Sequence, residues 1–81
     1  MRFYVCFHVD SFRELTYMKS FLSIHKARQY FLDYVEKYTH GNLFDIDRAV
    51  HNAEEEFNNY IPRGMDAESD VMIVKVFETE D

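Results

Sequence analysis

The chain has 81 residues, 47% of them apolar, with eight Phe, six Tyr, two Gly, one Pro and a formal net charge of −6. So much apolar and aromatic side chain excludes a disordered polymer, and the length makes it one small domain, residues 1–81, that buries about 60 to 65% of its unfolded surface. The single cysteine, Cys6, excludes an internal disulfide framework and a zinc finger, and no apolar run nears the ~20 residues that cross a bilayer. With no signal-peptide pattern at the N-terminus, the expectation is a cytoplasmic protein that makes no use of a membrane.

Residues 2–9, RFYVCFHV, alternate with period two, which predicts a strand with Phe3, Val5, Phe7 and Val9 toward the core and Tyr4, Cys6 and His8 away from it. Residues 15–21 alternate again after a short turn and suggest a β-hairpin; a helix beginning near Ser11 is the competing reading of that segment. Ser23 is placed to cap a helix over about 24–39 that carries Ile24, Ala27, Phe31, Tyr34 or Val35, and Tyr38 at helical spacing. Gly41 stands where a left-handed cap residue is wanted.

A second helix over 45–60 has Asp45 and Asp47 near its N-terminus and Pro62 beyond its end. Its apolar stripe is Ile46, Val50, Ala53, Phe57 and Tyr60. Residues 63–70 read as a polar loop and 71–77 as a β-branched strand. The element order β-β-α-α-β, with a right-handed crossover through the helix pair, predicts an α+β domain. Its three-stranded sheet would run in the order 2-1-3, the last strand parallel to the first, with both helices on one face.

Catalytic signatures are scarce. Asp47, His51 and Glu55 fall at i, i+4 and i+8 and have the residue types of a metal site, but that spacing is common by chance in an acidic helix. A solvated face with a His51–Glu55 pairing is the expectation, and no metal. Cys6 and His8 share a strand face without the environment that makes a thiolate. Two glycines cannot build a phosphate-binding loop, so neither an enzyme nor a cofactor is expected. Lys19, Lys26, Arg28 and Lys37 beside Tyr17, Tyr30 and Tyr34 are the nearest approach to a nucleic-acid surface, and the overall negative charge argues against direct binding of a polyanion.

Charge is polarised along the chain. Residues 1–41 hold six basic and four acidic side chains, and residues 42–81 hold three basic and eleven acidic ones, balances of +2 and −8. With the stripe of the second helix turned inward, its carboxylates form a negative surface with few basic neighbours. Carboxylate arrays of this kind steer basic partners and imitate a phosphate backbone. The leading expectation is a non-enzymatic protein-binding module or inhibitor that uses Asp45, Asp47, Glu54, Glu55, Glu56 and Asp66, with Tyr60 as an aromatic anchor. Its partner is a basic protein, in one version a nucleic-acid-binding protein whose site it blocks, as small acidic accessory proteins of phages and mobile elements do by analogy of size and charge. The alternative is a homo-oligomer, a homodimer at its simplest, formed through an uncovered sheet face bearing Tyr4, Cys6, His8, Met72 and Val74.

Overall fold

The computed structural model describes residues 1–80. Strands β1 (Arg2–Val9) and β2 (Leu15–Phe21) form the expected antiparallel hairpin, so the helical reading of residues 12–22 does not hold. No Asn-Gly turn is needed. The Asp10 carboxylate accepts from the amides of Phe12 and Glu14, both at 2.9 Å, and Arg13 takes the left-handed position at φ 64°.

Helix α1 (Ile24–Tyr38) is capped by Ser23, whose hydroxyl accepts from the Lys26 amide at 3.3 Å. Helix α2 starts two residues earlier than its stripe suggests, at Leu43, because Asn42 accepts from the Asp45 amide at 2.9 Å and so caps the helix. It runs to Tyr60 and continues into a single 3-10 turn, Ile61–Arg63. The left-handed glycine is not Gly41 but Gly64, at φ 76°, which closes that 3-10 turn; α1 ends instead on an extended Thr39.

The sheet has four strands, not three, in the order β2-β1-β4-β3. The additional strand, β3 (Ala67–Glu68), is two residues long and lies within the segment that reads as a polar loop. It changes the topology. The chain runs along β3 and turns through Ser69, whose hydroxyl accepts from the Met72 amide at 3.1 Å. It then returns as β4 (Met72–Glu78), antiparallel to β3 and also to β1. The parallel crossover expected for the last strand is therefore replaced by an all-antiparallel sheet. Both helices do lie on one face of it.

The sidedness of β1 is the reverse of the expected one. Tyr4, Cys6, Met72 and Val74 belong to one buried cluster with Ala27, Phe31 and Val35 of α1 and Ala53 and Phe57 of α2. Phe3, Val5 and Phe7 point the other way. The helices cover the face that carries Tyr4, Cys6, Met72, Val74 and Ala67, and the bulky Phe3, Phe7 and Phe77 are left on the other one. It follows that Tyr4, Cys6, His8, Met72 and Val74 are not an uncovered face and cannot form the oligomer contact drawn from them.

Candidate functional site

The apolar stripe of α2 turns inward as its spacing requires. Ala53 and Phe57 are buried, Ile46, Val50 and Tyr60 half-buried, and the Phe57 ring meets Phe31 of α1 with centroids 6.0 Å apart. Asp45, Asp47, Glu54 and Glu55 are exposed, as is Asp66 beyond the helix, and Glu56 is half-buried.

They do not form one surface, because helical periodicity sends them to different flanks. Asp47, His51, Glu54 and Asn58 share a spacing of 0, 4, 7 and 11 residues, and the last two face α1, where Arg28 bonds the Asn58 side-chain oxygen at 3.1 Å and approaches Glu54 at 3.3 Å. Glu55 on the outermost line stands 3.3 Å from His51, the pairing that the spacing implies. Two of the three consecutive glutamates thus have partners within the molecule.

Asp45, Ala49, Asn52 and Glu56 follow a second line with the same spacing, on the flank toward β3. There the N-terminal half of α2 and the β3–β4 turn enclose an open groove of about 450 Å³ lined by Asp45, Arg48 and Asn52 on one side and Glu68, Ser69 and Asp70 on the other. Arg48 lies 4.9 Å from the Phe44 ring centroid, and none of Asp45, Glu56, Asp66, Glu68 and Asp70 enters an ion pair among the described residues. Asp66 instead accepts from the Val76 amide at 3.4 Å, which ties the acidic flank to β4. Glu68 and Asp70 count in the acidic excess of the sequence but were not among the expected contact residues. The signal was the two-residue β3, which a polar stretch hides.

A second cluster brings together Lys19, Lys37, Tyr17, Tyr30 and Tyr34 of the basic and aromatic set named from the sequence, and adds His8 and Tyr38, which that set did not include. Beneath α1, His8 of β1 lies among Tyr17 of β2 and Tyr30 and Tyr34 of the helix. Its Nε2 is 2.7 Å from the Tyr30 hydroxyl, and its ring is 4.1 Å from that of Tyr34. Tyr38 stacks on Tyr34 at 4.4 Å, and Lys19 and Lys37 each stand 5.3 Å from a tyrosine ring centroid. The signal was there in part: Tyr30, Tyr34 and Tyr38 recur every four residues on α1, and His8 and Tyr17 meet only because β1 and β2 pair in register.

Burial lowers the His8 pKa below 6.5, so the folded state favours the neutral ring. The stability this contributes is complete above the unfolded value and is lost as pH falls from 6.5 through the folded value. Urea titrations at pH 7.5 and pH 5.5 are therefore expected to show weaker folding at the lower pH. The loss should be smaller in His8→Phe; an equal loss in both proteins would show that His8 is not its source.

Cys6 and His8 do point the same way, but they do different things. The thiol is fully buried with its sulfur 4.0 Å from the Ala27 carbonyl, and burial pushes its pKa up to about 12, the opposite of what a nucleophile needs. No family model, curated protein or solved structure matches this chain.

Proposed function

We propose that this protein is a non-enzymatic binding module that presents the acidic flank of α2 and β3 to a basic partner protein. The observation that carries the reading is the division of its carboxylates. Glu54 and Glu55 are paired within the molecule, whereas Asp45, Glu68 and Asp70 line one groove and, like Glu56 and Asp66, enter no ion pair among the described residues. Uncompensated like charges on a surface cost a few tenths of a kcal/mol per close pair and give long-range attraction for cations in return. A row of carboxylates along a helix also presents charge as a phosphate backbone does. A nucleic-acid-binding protein, its site occluded by this flank, is the partner class that fits best.

Glu56, Asp66 and the β3–β4 turn, rather than the internally paired Glu54 and Glu55, are the principal contacts. Asp47 remains an exposed contributor on the far flank, and Tyr60, half-buried, is better placed to support the flank than to anchor a partner.

The test is capture of a basic protein from the native host by wild type, by Glu54→Lys/Glu55→Lys and by Glu56→Lys/Asp70→Lys, each over a salt series. Wild type is expected to retain a partner that added duplex DNA competes away. The Glu56/Asp70 variant should lose at least about tenfold in affinity and show a flatter salt dependence, and the Glu54/Glu55 variant should lose less. Retention by the Glu56/Asp70 variant at wild-type strength, with the same salt slope, would end this reading.

A further inference from the structure

The face of the sheet turned away from the helices is apolar. Phe3 and Phe77 stack at 5.4 Å, and Phe7, Met18 and Ile73 continue the surface around Val5, itself 5% exposed, along the registers of β1 with β2 and β4. Met18 is 61% exposed and Phe77 41%. The polar residues in register on this face are Ser20, Lys75 and Glu68. A two-layer α+β domain that works as a monomer turns its open sheet face to water and makes it polar; this one does not.

The total surface is also large for the mass of the chain. The chain exposes 5761 Å², whereas a folded monomer of 9.8 kDa is expected to expose roughly 5,200 Å². The excess, about 600 Å², approaches the ~800 Å² that one partner contributes to a standard interface.

We infer that the protein is a two-fold symmetric homodimer in which the open sheet face of one copy packs on the same face of a second. Charge favours a second copy over another occupant. The face holds one cation, Lys75, and one anion, Glu68, and neither enters an ion pair among the described residues. A two-fold axis repeats every contact, so this single pair supplies two reciprocal Lys75–Glu68 contacts across the interface. Glu68 belongs to the edge strand β3 and borders both this face and the groove beside α2, whereas the carboxylates of α2 itself lie on the opposite side of the sheet. Packing sheet to sheet therefore places the two negative helices at the outside of the assembly, where chains of net charge −6 repel least. A basic partner is suited to α2 and finds little to bind here.

Sedimentation velocity and light scattering from micromolar to millimolar protein test this directly. Wild type is expected at twice the 9.8 kDa chain mass. Met18→Lys/Phe77→Lys changes two exposed residues and should keep the far-UV circular dichroism of wild type while its dimer Kd rises at least about 100-fold. Lys75→Glu should weaken the dimer and Glu68→Lys added to it should restore it, since the reciprocal pair is then re-formed with its signs exchanged. A monomer over the whole concentration range overturns the inference. So does a dimer unchanged in Met18→Lys/Phe77→Lys, which would be built on another surface such as the free edge of β2. A Lys75→Glu loss that Glu68→Lys leaves unrepaired overturns the reciprocal pairing.

Discussion

Replacing Phe57 by alanine is expected to cost about 3 to 5 kcal/mol of folding stability. The ring is 1% exposed and lies at the junction of the two helices, against Phe31 of α1, which is itself fully buried. Removing it forfeits the transfer of a large apolar group, the ring–ring contact, and the packing of a buried cluster that includes Ala53 and Ile61 and closes only partly around the space left. A chain of 81 residues is expected to have only about 4 to 12 kcal/mol in total. Phe57→Ala should thus melt at least ~12 °C below wild type, and at the lower end of that range it would not fold at all. Phe57→Leu keeps most of the volume and should remain folded with a smaller loss, readable by urea titration. A change under about 1 kcal/mol in Phe57→Ala would mean that α2 does not dock on α1 through this ring.

The legible parts of this fold are those where one periodicity has one interpretation. The stripe of α2 has a single apolar line, so Ala53 and Phe57 could only face inward. The same applies to Ala27, Phe31 and Val35 of α1, and Ser23 announces the start of that helix through its cap. Strand β1 is different, because alternation fixes which residues share a face and says nothing about which face is covered when both are apolar. Phe3, Val5, Phe7 and Val9 are the more hydrophobic set, and hydrophobicity alone would bury them. The helices instead cover the face of Tyr4, Cys6, Met72 and Val74.

The direction of β4 was illegible for another reason. It depends on Ala67–Glu68, a strand of two residues with no period to detect, and with it went the groove in which Glu68 and Asp70 join Asp45. A row of three glutamates draws the eye in a sequence. In the folded chain the electrostatics are decided by which of them finds Arg28 or His51.

The sidedness of β1 has a direct chemical readout in Cys6, the only cysteine of the chain. If the strand were turned as its alternation alone suggests, the thiol would stand on the open sheet face and react with an alkylating reagent at nearly the rate of an unstructured peptide. With the thiol fully buried beneath α1, two barriers act together. Its pKa of about 12, against an ordinary 9.0, leaves roughly a thousandfold less thiolate at pH 8, and the reagent has no path to the sulfur until the helix layer opens. Native labelling is thus expected to be slower than in urea-unfolded protein by at least ~10³-fold, and it should accelerate with urea in step with global unfolding. The same burial has a consequence at alkaline pH. The unfolded thiol ionises from about pH 9, while the folded one holds its proton to about 12, so the unfolded state binds fewer protons across that window and stability falls as pH rises through it. Tyr30 and Tyr34, whose pKa values burial also raises above 10.0, add to the fall in the upper part of the window. Cys6→Ala retains the tyrosine contribution and should show the shallower decline. Rapid native alkylation together with a wild-type decline in Cys6→Ala would place the thiol outside the core and return β1 to the opposite orientation.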